Sequence, residues 1–127
     1  VAKQDQKASA AVGRAGEHLA LSRLSLAGYT CTLCQIKDHD AYIQMDARTL
    51  TLQVKTASRT YTGGRKYKFY TPKRNVEVSD VFAFVAIDLG AVFFRRGDEL
   101  TTVTTYVTTE DFLDEKLSMQ KTFDSFK

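Results

Sequence analysis

Residues 38–57 read Asp-His-Asp-Ala-Tyr-Ile-Gln-Met-Asp-Ala-Arg-Thr-Leu-Thr-Leu-Gln-Val-Lys-Thr-Ala. Successive side chains of an extended strand point to opposite faces, so alternation marks a half-buried strand. Leu50, Leu52 and Val54 share one face, and Thr51, Gln53 and Lys55 share the other. In the preceding segment Ala41, Ile43 and Met45 form an apolar face, opposed by Asp40, Tyr42 and Gln44. The two segments predict a hairpin that turns about Asp46-Ala47 or about the four residues Met45–Arg48. Either turn sets Asp40 opposite Gln53, Tyr42 opposite Thr51 and Ile43 opposite Leu50, with Lys55 diagonal to Asp40. Directly opposed side chains have Cβ atoms about 4.5–5.5 Å apart. A carboxylate, an amide and an ammonium thus converge on one patch. Taken alone, that patch is a solvated sheet face carrying a cross-strand ion pair.

Upstream, a helix is expected from Ser9 to Ala27, after a polar and frayed start at residues 1–7. Val12, Ala15, Leu19 and Leu24, with Gly16, Ala20 and Ala27, make one apolar stripe at helical spacing. Gly28 supplies the C-terminal stop. Gly13 and Gly16 each weaken a helix by roughly 1 kcal/mol relative to alanine. Glycines placed there imply close approach of another backbone or a ligand, and Glu17 sits beside them at the edge of the stripe. Residues 30–36 read as a strand that leads into the hairpin.

Downstream, residues 58–64 form a loop with Gly63-Gly64 as its pivot. Residues 65–71 (Arg-Lys-Tyr-Lys-Phe-Tyr-Thr) read as a strand ended by Pro72, which cannot donate to a ladder. Residues 81–87 are apolar on both faces, as in a central strand covered on both sides. Asp80 precedes that strand as a turn or cap residue. Asp88-Leu89-Gly90 turns the chain and residues 91–95 return it. Residues 101–108 suggest a further strand or extended edge, and a short helix is expected from Thr109 to Leu117, with Glu110 and Asp111 in its first turn. The order predicts an α/β fold: a mixed sheet packed on the N-terminal helix, with a small C-terminal helix.

At 127 residues the chain is read as one domain, with its core over about residues 9–117. No apolar run approaches the ~20 residues that span a bilayer, and the start lacks the apolar core of a signal peptide. No membrane partner is expected, and the default location is cytoplasmic. The net charge of +3 is mild, but its distribution is uneven. Residues 58–75 carry Arg59, Arg65, Lys66, Lys68, Lys73 and Arg74 and no acid, whereas residues 97–127 carry seven acids against three lysines. One face should attract a polyanion and another repel it. Cys31 and Cys34 form a lone C-x-x-C in a strand, where positions i and i+3 point apart. His18 and His39 are the only other soft ligands, which disfavours a zinc or redox centre.

The segment Gly13-Arg14-Ala15-Gly16-Glu17-His18-Leu19-Ala20, then Leu24 and Gly28-Tyr29, then Asp40, and then Gln53-Val54-Lys55 resembles the PD-(D/E)xK nuclease superfamily. It is most similar to the small single-domain branch of bacterial group I intron homing endonucleases and Holliday-junction-resolvase-like enzymes. The run Gln53-Val54-Lys55-Thr56-Ala57 looks most like the homing branch, and the resemblance covers about residues 13–95. It implies a restriction-endonuclease-like fold and an Mg²⁺-dependent endonuclease, with Mn²⁺ as a substitute, that hydrolyses DNA phosphodiester bonds. Asp40 matches the metal-binding aspartate, and Lys55 the lysine that orients the attacking water and steadies transition-state charge. Glu17 matches the helix glutamate that supports the metal directly or through water, and the Val54 carbonyl would complete the metal shell.

Two positions depart from the pattern. His39 stands where a proline commonly precedes the aspartate. Gln53 replaces the usual acid and brings an amide oxygen without charge. The residue types suit the chemistry, because phosphodiester hydrolysis uses a hard cation with oxygen ligands and a nearby positive charge. His39 neighbours Asp40 on a strand and so should face away from it.

Arg59, Arg65, Lys66, Lys68, Lys73, Arg74 and Tyr67 are the expected DNA contacts, through phosphates and, for the tyrosine, through stacking or hydrogen bonding. The bland alternative is a lysine-protected edge strand. One site per chain and two strands to cut imply a homodimer or higher oligomer acting on double-stranded or branched DNA. The competing function is a non-catalytic DNA-binding or assembly module whose nuclease site has decayed at Gln53.

Overall fold

The alternating hairpin lies at the middle of a five-stranded mixed sheet. The computed structural model describes residues 2–36 and 39–127. Helix α1 (Ala2–Leu26) leads through Gly28 into strand β1 (Thr30–Ile36), followed by β2 (His39–Gln44) and β3 (Thr49–Ala57). The chain then leaves the sheet through β4 (Lys66–Tyr70) and helix α2 (Lys73–Val78), and returns as β5 (Val81–Ala86) and β6 (Ala91–Arg96). Strand β7 (Thr104–Thr108) and helices α3 (Thr109–Leu113) and α4 (Glu115–Asp124) complete it. The main sheet has the order β1-β2-β3-β5-β6, and β4 pairs with β7 in a separate two-stranded ribbon.

The hairpin register follows the alternation: Tyr42 opposes Thr51 and Ile43 opposes Leu50. The turn closes with the Met45 amide donating to the Arg48 carbonyl at 2.8 Å. Strand β3 runs parallel to β5, with Gln53 beside Phe82 and Lys55 beside Phe84. The crossover between them spans residues 58–80 and carries both β4 and α2.

Strand β5 is buried at every position, because its two faces feed two cores. Val81, Ala83 and Val85 join Ala20, Leu24, Ile43, Leu52, Phe94, Met119 and Phe123 under α1 and α4. Phe82, Phe84 and Ala86 join Tyr67, Phe69, Leu100, Val107 and Phe112 beneath the ribbon. Burying each large apolar side chain contributes about 1.5–3 kcal/mol, so a strand buried on both faces anchors both layers.

Four readings of the sequence are corrected. Helix α1 begins at Ala2 rather than near Ser9. The basic strand β4 does not join the mixed sheet but pairs with β7. Residues 73–78 form a helix that the sequence did not announce. The single C-terminal helix is two, broken at Asp114, and the second runs well past Leu117 to Asp124. Met119 and Phe123, four residues apart, seat α4 on the core.

The stop of α1 is as expected. Gly28 has φ +98°, with Tyr29 donating to the Leu24 carbonyl and Gly28 to the Ser25 carbonyl, a Schellman stop. Asp80 does more than turn the chain, since its carboxylate accepts from the backbone and hydroxyl of Thr51 and so locks the start of β5 to β3. Cys31 and Cys34 are free thiols, and burial pushes the Cys31 thiol up to about 11. Among the described residues no helix is long and apolar enough to cross a membrane.

Candidate functional site

At Gly16 α1 packs directly against β3. A Cβ at this position would collide with the side chain of Thr56 on β3, so only glycine allows the approach. One residue later Glu17 reaches an open cleft of about 630 Å³, lined also by Gly13, Asp40, Gln53, Val54, Lys55, Arg59 and Lys68. A Cβ on Gly13 would meet nothing within 4 Å among the described residues, so no other backbone approaches there.

The cleft opens where the hairpin ladder ends. Backbone pairing between β2 and β3 runs from Gln44↔Thr49 to Ala41↔Leu52. Beyond it the Asp40 carboxylate takes over the next donors. Its Oδ2 accepts from the Val54 amide at 2.8 Å and from Gln53 Nε2 at 3.0 Å. The opposition of Asp40 and Gln53 read from the alternation is therefore a direct side-chain contact. Gln53 Oε1 is buried and has no hydrogen-bond partner among the described residues.

Lys55 lies on the same face as Gln53, and its Nζ donates to Asn75 Oδ1 at 3.1 Å. Asn75 is 7% exposed and sits on α2. Pro72 starts that helix, with its carbonyl accepting from the Asn75 amide at 3.0 Å. Sequence reading missed Asn75, because a lone asparagine between two recognised strands carries no pattern.

Burial dominates the electrostatics. It pushes the Glu17 carboxyl up, and the nearby Asp40 charge adds to this, against smaller opposing effects of His18 and Arg14. Burial also raises the Asp40 carboxyl, offset in part by the Val54 amide, Lys55 and His39. Lys55 is lowered by burial and by Arg74, with Asp40 acting the other way. The fold thus holds protons on both carboxylates more tightly than the unfolded chain does. Their contribution to stability is present at low pH and is lost as pH rises through the raised values. For Lys55 the fold binds the proton less tightly, so stability rises with pH through its lowered value. All three shifts mark a place where charge is confined without enough compensation.

These observations test the fit of a cation. Two carboxylates whose burial disfavours ionisation, together with an orphaned amide oxygen, are donors of the type that a hard divalent ion takes. No cluster of three or more His, Cys, Asp or Glu stands close enough to hold a metal among the described residues. A third oxygen donor would have to come from the Gln53 amide.

The remaining candidates divide. Arg59 and Lys68 line the cleft, and Arg74 is close enough to act on Lys55. Arg65 and Lys66 are exposed at the start of β4. Lys73 lines a different groove with Thr71 and Val103 and pairs with Glu77 at 3.7 Å. Tyr67 is corrected: it is 1% exposed, and its hydroxyl donates to the Asp88 carboxylate. Burial and that carboxylate push it up to about 12. A ring so enclosed cannot stack on a base. His39 pairs its Nε2 with the Tyr42 hydroxyl at 3.1 Å and is not part of the cleft wall.

No protein-family profile matches the chain, and no curated protein matches it by sequence. Solved structures do. The chain superposes on the bacterial homing endonuclease I-Ssp6803I with a TM-score of 0.64 and 11% identity, over 89% of this chain and 95% of that one. It superposes on Hjc, a Holliday junction resolvase of the archaeal hyperthermophile Archaeoglobus fulgidus, with a TM-score of 0.55 and 16% identity, over 80% of this chain and 87% of that one. With an N-terminal helix on a mixed sheet, a β2–β3 hairpin and the parallel β3–β5 pair, this chain has the small restriction-endonuclease-like fold seen in both.

Proposed function

We propose that the chain is a metal-dependent endonuclease that hydrolyses DNA phosphodiester bonds. The observation that carries this reading is the buried, unpartnered Gln53 Oε1 beside Asp40, in a cleft that also holds Glu17 and Lys55. The activities of the two structural neighbours support it. Asp40, Gln53 and the Val54 carbonyl would hold Mg²⁺ or Mn²⁺, with Glu17 binding directly or through water. When bound, such an ion polarises the phosphate and lowers the pKa of a coordinated water.

This chain's own residues supply the rest. Lys55 places its ammonium at the cleft floor, where it orients the attacking water and offsets charge developing on the phosphate. Asn75 is a positioning residue that holds the ammonium from α2. Arg59 and Lys68 draw the DNA backbone across the cleft. Because one chain offers one site, we propose a homodimer or larger oligomer for cutting both strands of duplex or branched DNA.

Calorimetric titration with Mg²⁺ or Mn²⁺ tests the site, alongside incubation with linear, supercoiled and four-way-junction DNA. Binding heat should vanish in Asp40→Ala and weaken as pH falls, since protons compete for the raised carboxylates. Heat and cutting that are both absent across these substrates would favour the alternative, a non-catalytic DNA-binding module. The neutral Gln53 is the one feature that points to it.

Asn75 gives a separate expectation. Asn75→Leu should slow cutting about tenfold or more, the worth of one hydrogen bond to a charged group. It also removes an acceptor from the ammonium, so Lys55 should titrate lower and the alkaline limb of the pH–rate profile should move down. Asn75→Asp adds a charge and should move that limb up. Identical profiles in all three proteins would count against a positioning role.

A further inference from the structure

The outer face of the β4–β7 ribbon carries a regular arrangement that extends from the cleft at Lys68. Lys66, Lys68 and Tyr70 alternate with the buried Tyr67 and Phe69 along β4, and Tyr106 on β7 lies opposite Lys68. The Lys66 ammonium sits 4.4 Å from the centre of the Tyr106 ring, and that of Lys68 sits 4.9 Å from the centre of Tyr61. The two rings are 5.9 Å apart. Both are exposed, Tyr61 at 38% and Tyr106 at 44%. Lys68 belongs at once to this face and to the wall of the cleft.

We propose that this face is the track on which the DNA backbone lies as it enters the cleft, with Tyr61 and Tyr106 as the residues that fix the Lys68 and Lys66 ammonium groups for phosphate binding. The inference rests on the reading of the chain as a DNA enzyme and names the surface that holds the substrate. Charge complementarity identifies the occupant. Residues 58–75 contain no acid, and neither does β7. At the Lys66 end the Asp111 carboxylate is engaged by the Thr108 amide at 2.9 Å, and that of the exposed Glu110 accepts from the Thr109 hydroxyl at 3.4 Å.

A cation over each ring also selects among modes of contact. A free lysine loses rotamer freedom when it grips a phosphate, whereas one already seated on an aromatic face has lost much of it beforehand. Each ammonium occupies one face of its ring, and on this proposal the tyrosines serve the lysines rather than bases. The inner face of the ribbon is packed on Phe82, Phe84 and Phe112. The ribbon therefore has its outer face alone to present to DNA.

The test is DNA binding by fluorescence anisotropy with a chelator present, so that cutting plays no part. Tyr61→Leu/Tyr106→Leu should weaken duplex binding about tenfold, from roughly two- to fivefold per ring. It should leave the slope of log K against log salt unchanged, because no charge is removed. Tyr61→Phe/Tyr106→Phe keeps both rings and should bind like the parent chain. Lys66→Gln/Lys68→Gln should flatten the salt slope by about 0.9 for each phosphate that is no longer neutralised. Parent-like duplex binding by the leucine pair would overturn the proposal, as would an unchanged slope in the glutamine pair. A loss confined to single-stranded DNA would assign the rings to base stacking and overturn it too. A protein that binds in this way yet never cuts refutes the nuclease reading and leaves the track standing. One that cuts while the ribbon variants bind normally does the reverse.

Discussion

Lys55→Ala should lower DNA cleavage by about 10²–10³-fold or more, the usual consequence of removing a single charge-stabilising donor from a reaction centre. The lysine lies on the floor of the cleft beside the Asp40–Gln53 pair and is oriented by Asn75. Among the described residues no neighbouring cation is placed to replace it: Arg74 acts on it from α2, and Arg59 and Lys68 stand on the cleft wall. The fold should survive the change. Lys55 is buried only in part, and burial lowers its pKa, which means that the folded state gains little from the charge. Parent and variant should therefore unfold at similar temperatures near neutral pH. Wild-type stability should also climb with pH through the lowered lysine value, and this rise should be absent from the variant. Single-turnover cleavage and thermal unfolding of the same preparations decide the matter. Undiminished cutting in Lys55→Ala would falsify the assignment of the site.

Gly16→Val is expected to have the largest effect on stability. The new Cβ would occupy the position of the Thr56 side chain, and Thr56 sits on β3 against the core under α1. Overpacking of this kind costs about 1–3 kcal/mol and sometimes more. Valine brings no rescue through helix propensity, being among the poorer helix formers. A fall of several degrees in the unfolding midpoint should result. Adding Thr56→Ala should recover part of the loss, because it removes the hydroxyl and methyl that the valine meets. A double-mutant cycle with no coupling would show that the helix accommodates the change by moving away from the sheet. Metal binding is the useful second readout, since a shifted α1 carries Glu17 with it.

The parts legible in the sequence are those with a period. The hairpin alternates strictly, and a slip by one residue would have turned Ile43, Leu50 and Leu52 to solvent, so its register followed. Gly16 was legible as a close-approach glycine because a stripe of small residues surrounded it. The all-apolar run from Val81 announced its own burial. What escaped has no period. Helix α2 is six residues long and has no side-chain cap, so neither it nor Asn75 left a trace. The pairing of β4 with β7 joins segments far apart in the chain, and nothing local specifies the partner. Tyr67 is a different kind of miss. Alternation along β4 already placed it with Phe69 on the apolar face, but its chemical likeness to a base-stacking residue outweighed its position. The exposed Tyr106, on a strand without basic residues, drew no notice.

The crossover that joins β3 to β5 bears on how such a protein changes. Its two ends are held in neighbouring parallel strands, with Asp80 tying the return point to Thr51. Between them lie Arg59, the helix that carries Asn75, and the ribbon strand β4, whose Tyr67 and Phe69 pack on Phe82 and Phe84 of β5, so it is the exposed positions of this segment that can change without disturbing the sheet. The cleft carboxylates and Lys55 lie outside that segment. On the proposed function, exchanging the exposed residues of this segment while keeping Asn75 and Asp80 would alter substrate preference and leave the carboxylates and Lys55 in place.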